Sequence, residues 1–91
     1  MNVDKLPNLG PKSAVWLNNI GIHTRAELHA VGPITAMIRL ERAGHTSSLN
    51  MLYALVGALD GVHWQEIAHT RKGELVLALD AARELEKLSE G

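Results

Sequence analysis

The sequence predicts an all-α domain, a compact bundle of about five short helices. No stretch alternates apolar and polar residues with period two, and β-branched residues are scattered. Gly and Pro punctuate the chain at Gly10-Pro11, Gly21, Gly32-Pro33, Gly44 and Gly61, where helices stop and start. Helix-start chemistry recurs at Thr24 with Glu27 three residues on, and at Ser47 or Ser48 ahead of Leu49.

A brief opening turn around Val3–Leu6 leads into Pro7-Asn8-Leu9-Gly10, a tight turn. The first clear helix then runs from Pro11 to Asn19, with Ala14, Leu17 and Ile20 on one side. Pro suits the first helical position because its missing N–H would lack a partner there anyway. Gly21 ends this helix at C′. The Thr24/Glu27 capping box opens a second helix to about Val31, and Pro33 opens a third that runs to Ala43. In the third, Thr35, Arg39 and Arg42 share one stripe, opposite Ile34, Met37, Ile38 and Leu40.

The fourth helix, Leu49 to Asp60, is apolar almost all round, as a helix buried on several sides should be. Its Ala54, Gly57 and Ala58 form a small-residue flank that admits a neighbouring helix. Gly61-Val62-His63-Trp64 turns the chain, with Trp64 plugging the core. A last helix is expected from near Thr70 to about Leu88. At ~100° per residue its apolar side chains span about 200° of arc. One core contact needs a stripe only somewhat over ~100° wide. The excess at Leu77, Ala81 and Leu88 is either covered by another part of the chain or is a contact surface, most simply with a second copy of the chain.

Ninety-one residues suit one domain. It divides into a hairpin unit over about 3–32, a central buried helix over about 48–60 and a C-terminal helix over about 70–89. The chain has no Cys, which excludes disulfides and thiolate metal sites and suits a reducing cytoplasm. No charged-then-apolar leader or long apolar run suggests export or membrane spanning.

Net charge is −1, which argues against strong non-specific nucleic-acid binding. Residues 1–45 nevertheless carry five bases against three acids, and residues 46–91 four against seven. Any surface facing a nucleic acid therefore belongs to the first half. There, Lys12 and Ser13 follow Pro11 in a helix's first turn, where outward amides make an anion site.

Catalysis is not expected. Ser13, Ser47 and Ser48 stand where Ser caps helices, and the carboxylates are spread over exposed positions. The five histidines, His23, His29, His45, His63 and His69, do not pair at i, i+4 on one helix, so no metal site is predicted. His63 and His69 are expected to flank a loop. No cofactor is implied.

Leu6-Pro7-Asn8-Leu9-Gly10-Pro11-Lys12-Ser13-Ala14, followed by Leu17, Ile20-Gly21-Ile22 and Thr24 with Leu28, resembles a helix-hairpin-helix unit of the SAM-like type. Arg39-Leu40, Ala43-Gly44, Ser48 to Leu55, Gly57-Ala58-Leu59 and Gly61 to Trp64 narrow the resemblance to the C-terminal domain of the TfoX (Sxy) competence regulators. The resemblance implies an all-helical fold and a cytoplasmic bacterial protein tied to regulation of DNA uptake. It also implies a role alongside the cyclic-AMP receptor protein, a transcription regulator.

The hairpin positions Asn8, Gly10, Lys12 and Ser13 would then contact the DNA backbone weakly and without reading sequence, assisted by Arg39 and Arg42. Tyr53 and Trp64 would be structural. The alternative is a protein-interaction or adaptor module, most simply a homodimer through Leu77, Ala81 and Leu88, without nucleic acid.

Overall fold

The computed structural model describes residues 1–45 and 48–90. A 3-10 turn at Val3–Lys5 precedes five helices: α1 (Pro11–Asn19), α2 (Arg25–Val31), α3 (Pro33–Arg42), α4 (Leu49–Asp60) and α5 (Trp64–Glu90). Among the described residues the only β pairing is an isolated bridge between Asn2 and Thr24. The all-α expectation is met.

Helices α1 and α3 share one construction. Each starts at Gly-Pro without a side-chain cap, and each ends in a Schellman turn on a glycine at φ 86°. In α1 the amides of Gly21 and Ile22 return to the carbonyls of Asn18 and Leu17. In α3 those of Gly44 and His45 return to Glu41 and Leu40. Ile22 and Leu17 are both sealed in the core, the apolar contact that accompanies such an ending.

The α2 start is the capping box the sequence implies. The Glu27 amide donates to Thr24 Oγ1 at 3.1 Å, and the Thr24 amide donates to Glu27 Oε1 at 3.2 Å. The α4 cap is Ser48, whose Oγ accepts from the Met51 amide. The other candidate cap, Ser47, lies outside the described residues.

Every residue from Met51 to Ala58 is buried, which makes α4 the pillar on which α2, α3 and α5 pack. At Gly57 the close neighbours are loop atoms and not those of a helix. A Cβ on Gly57 would lie 2.3 Å from the Val62 carbonyl oxygen and 2.5 Å from Asn8 Nδ2. Gly57 thus admits the chain's own loops. No charged side chain is buried among the described residues, but the Tyr53 hydroxyl is enclosed without a hydrogen-bond partner.

The last helix starts six residues before the expected Thr70, at Trp64. Its cap comes from far away in sequence: the Trp64 amide donates to Asn8 Oδ1 at 3.1 Å. His63 Nδ1 accepts from the Gln65 amide nearby. His69 therefore lies inside α5, not beside a loop. The distal part of α5 rests on α3 through ion pairs. Arg83 Nε donates to Glu41 Oε1 at 3.0 Å, and Arg42 Nη1 to Glu86 Oε1 at 2.6 Å. The hydrogen bonds it donates to Glu41 hold the Arg83 guanidinium above its ordinary pKa. No helix of the described residues is long and apolar enough to cross a membrane.

Candidate nucleic-acid interface

The loop ahead of α1 is built by Leu6-Pro7-Asn8-Leu9, one residue earlier than the expected Pro7–Gly10 turn. The Leu9 amide returns to the Leu6 carbonyl, and Asn8 sits at φ 69°. Pro followed by a residue of positive φ is the pattern of a type II turn, and Asn tolerates that conformation. Leu6 and Leu9 are buried on either side, so the loop is anchored at both ends.

The Asn8 side chain points inward, so its carboxamide is not the group that would meet a phosphate. Its Nδ2 donates to the Val62 carbonyl at 2.8 Å, while its Oδ1 caps α5. Both polar ends of the carboxamide are committed within the molecule. The loop is a strut between the chain's opening turn and the α4–α5 corner.

The rest of the hairpin set stays at the surface. Gly10 is extended (φ −100°, ψ −174°) and caps α1 without a side-chain bond, and a Cβ there would meet nothing within 4 Å. Pro11 and Lys12 are exposed, and Ser13 is half-buried. Helix geometry leaves the first-turn amides of Lys12 and Ser13 without intrahelical acceptors. The start of α1 is open.

One turn further along, α1 presents a second feature. Lys12 Nζ lies 5.1 Å from the centre of the Trp16 ring. The His45 imidazole stacks on the same indole at 5.0 Å between centroids, with the planes 16° apart. Trp16 and His45 are both half-buried. The Schellman turn of α3 fixes the backbone of His45, so two separate elements hold the pair. The Lys12–Trp16 spacing of i, i+4 was legible in the sequence as one helix face. The position of His45 was not, because it depends on how α3 packs beside α1.

The two arginines of α3 diverge. Arg39 is exposed, whereas Arg42 is tied to Glu86 of α5. The predicted basic stripe is thus partly absorbed into holding α5. On α5 itself, Leu77, Ala81 and Leu88 are exposed as expected, and Leu85 joins them. Leu75 and Leu79, on the opposite side, are buried.

Comparison with known proteins adds lineage to this geometry. A family model described as the TfoX C-terminal domain matches residues 1–79. A crystal structure of an uncharacterized protein from Listeria monocytogenes is 29% identical, with a TM-score of 0.74 over 94% of each chain. No curated protein matches the sequence.

Proposed function

Because the chain belongs to the TfoX C-terminal domain family, we propose that it is a competence-type regulatory domain, non-catalytic and cytoplasmic, that meets nucleic-acid backbone at the start of α1. The observation that carries this reading is the open N-terminus of α1, where exposed Gly10, Pro11 and Lys12 surround outward first-turn amides. Lys12 adds the cation that a phosphate favours, and Arg39 is exposed on the neighbouring helix. The contact is weak and indifferent to sequence, since it reads phosphate and not base edges.

The non-catalytic reading rests on the surface. A groove of about 410 Å³ between the opening turn and α1 has Asp4 and His23 as its titratable lining residues, with no nucleophile beside a base.

Labelled duplex and single-stranded DNA titrated at several salt concentrations test the backbone contact. The expected result is weak binding that falls with salt, with a slope reduced by about one in Lys12→Ala. Absence of binding at low salt overturns it.

A second reading has its own observation. Leu77, Leu85 and Leu88 are 72%, 65% and 71% exposed on one face of α5, more apolar surface than a solvated helix needs. This face suits protein contact, either a second copy of the chain or a transcription regulator. Sedimentation of the wild type as a dimer, and of Leu77→Glu as a monomer, would support self-association. A monomeric wild type removes it.

A further inference from the structure

We propose that Lys12, Trp16 and His45 form a site for an unpaired nucleotide of a single-stranded nucleic acid, with its base on the indole and its phosphate at the Lys12 ammonium. The proposal rests on the backbone-contact reading above and narrows its substrate class.

Three observations converge on it. The first is that Trp16 packs against the core yet remains only partly buried, leaving some of its aromatic surface to solvent. The second is the near-parallel stack with His45, which holds the indole in a fixed plane from two separate elements. Aromatic surfaces held in this way are what unpaired bases stack on, and every base offers such a face. The third is the Lys12 ammonium over the same ring. Lys12 is exposed, so its ammonium reaches the indole by a path open to solvent.

The ligand follows from the chemistry. An exposed ammonium–indole contact is weak, and a base stacks on indole more strongly. The base displaces the ammonium from the ring, and the ammonium turns to the phosphate. Lys12 and Trp16 are separated by about 6 Å along the helix axis, from a rise of 1.5 Å per residue, a span that one nucleotide bridges. Bases inside a duplex are already stacked on one another and present only their edges in the grooves. The site therefore prefers strands with free bases.

Binding of the intact protein to a short oligothymidylate, an abasic strand of equal length and a duplex tests this. Stacking of one base predicts about tenfold tighter binding to oligothymidylate than to the abasic strand. In a Trp64→Phe background, where Trp16 is the remaining tryptophan, oligothymidylate should quench the fluorescence and the abasic strand should not. Trp16→Ala should remove the tenfold preference, and Trp16→Phe should restore part of it. Lys12→Ala should weaken both strands alike and flatten the salt dependence.

Equal affinity for the two strands without quenching overturns the site while leaving the backbone reading intact. No binding to any nucleic acid at low salt overturns both. Because the strand comparison uses the unmodified protein, a poorly folding variant does not obscure the answer.

Discussion

Helix α5 begins under a cap supplied from fifty-six residues away and ends on ion pairs between half-exposed side chains. Its first turns are locked by Asn8, whose carboxamide joins the Trp64 amide to the Val62 carbonyl, with Gly57 leaving the space. Its distal turns lie on α3 through Glu41–Arg83 and Arg42–Glu86, with Leu85 and Leu88 facing outward. One end is held by polar groups packed between α4 and α5. The other is held by charges that water can replace. Stability should therefore concentrate at the corner where α4 meets α5, and local opening should begin at the far end.

The largest effect is expected at Gly57. Gly57→Ala gains about 1 kcal/mol of helix propensity but sets a methyl against a backbone oxygen. Overpacking of this kind commonly exceeds that gain, so a net loss of about 2 kcal/mol is expected in denaturant unfolding. A neutral Gly57→Ala would mean that the corner yields easily, and the contrast between the halves would be lost.

Next comes Asn8. Asn8→Ala removes the cap and leaves the Val62 carbonyl unpaired, for a loss of about 2 kcal/mol. Asn8→Gly, which accepts the positive φ without strain, should lose roughly 1 kcal/mol. Equal losses from the two variants would assign the whole effect to hydrogen bonding.

A smaller loss, about 0.5 kcal/mol, is expected for Arg83→Gln, because Arg83 and Glu41 are partly solvated. It should appear as faster amide exchange in the distal turns of α5 and shrink in high salt. The Arg83 pKa is raised in the folded state. Its contribution is thus fully present below the unfolded pKa and lost only as pH rises through the folded one. Protection of those amides, corrected for the base-catalysed rise in intrinsic exchange, should therefore not change from neutral to mildly alkaline pH.

The smallest effect is expected from Leu85→Gln, within about 0.5 kcal/mol for an exposed position. A larger loss that depends on protein concentration would place a partner copy on that face.

Most of the fold was legible because its signals are local. Gly-Pro starts, a Ser or Thr cap and a glycine just past each end fix α1 to α4 within a residue or so. The α5 start escaped for the same reason in reverse. The residue before Trp64 is His63, which is not a usual helix cap although its Nδ1 accepts from the Gln65 amide. The acceptor for the Trp64 amide arrives from Asn8 on another part of the fold. Residue type did not distinguish an outward Asn8 from an inward one. Both readings place Asn in a tight turn, and only packing against Gly57 and Val62 decides. The ion pair of Arg42 was hidden similarly, since its partner Glu86 stands on α5, far away in sequence. The exposed leucines of α5 were legible because the apolar arc was too wide for one core contact.

The opening residues carry a practical consequence. Domain termini commonly fray and tolerate trimming. Here the Val3 amide donates to the His23 carbonyl, the Arg25 amide donates to the Met1 carbonyl, and the Val3 side chain is 1% exposed. Removing those residues would unfasten the entry to α2 and breach the interior. Shortening from the opposite end through Leu88, which is largely in water, would leave the interior closed. A fluorophore or affinity handle thus belongs after α5.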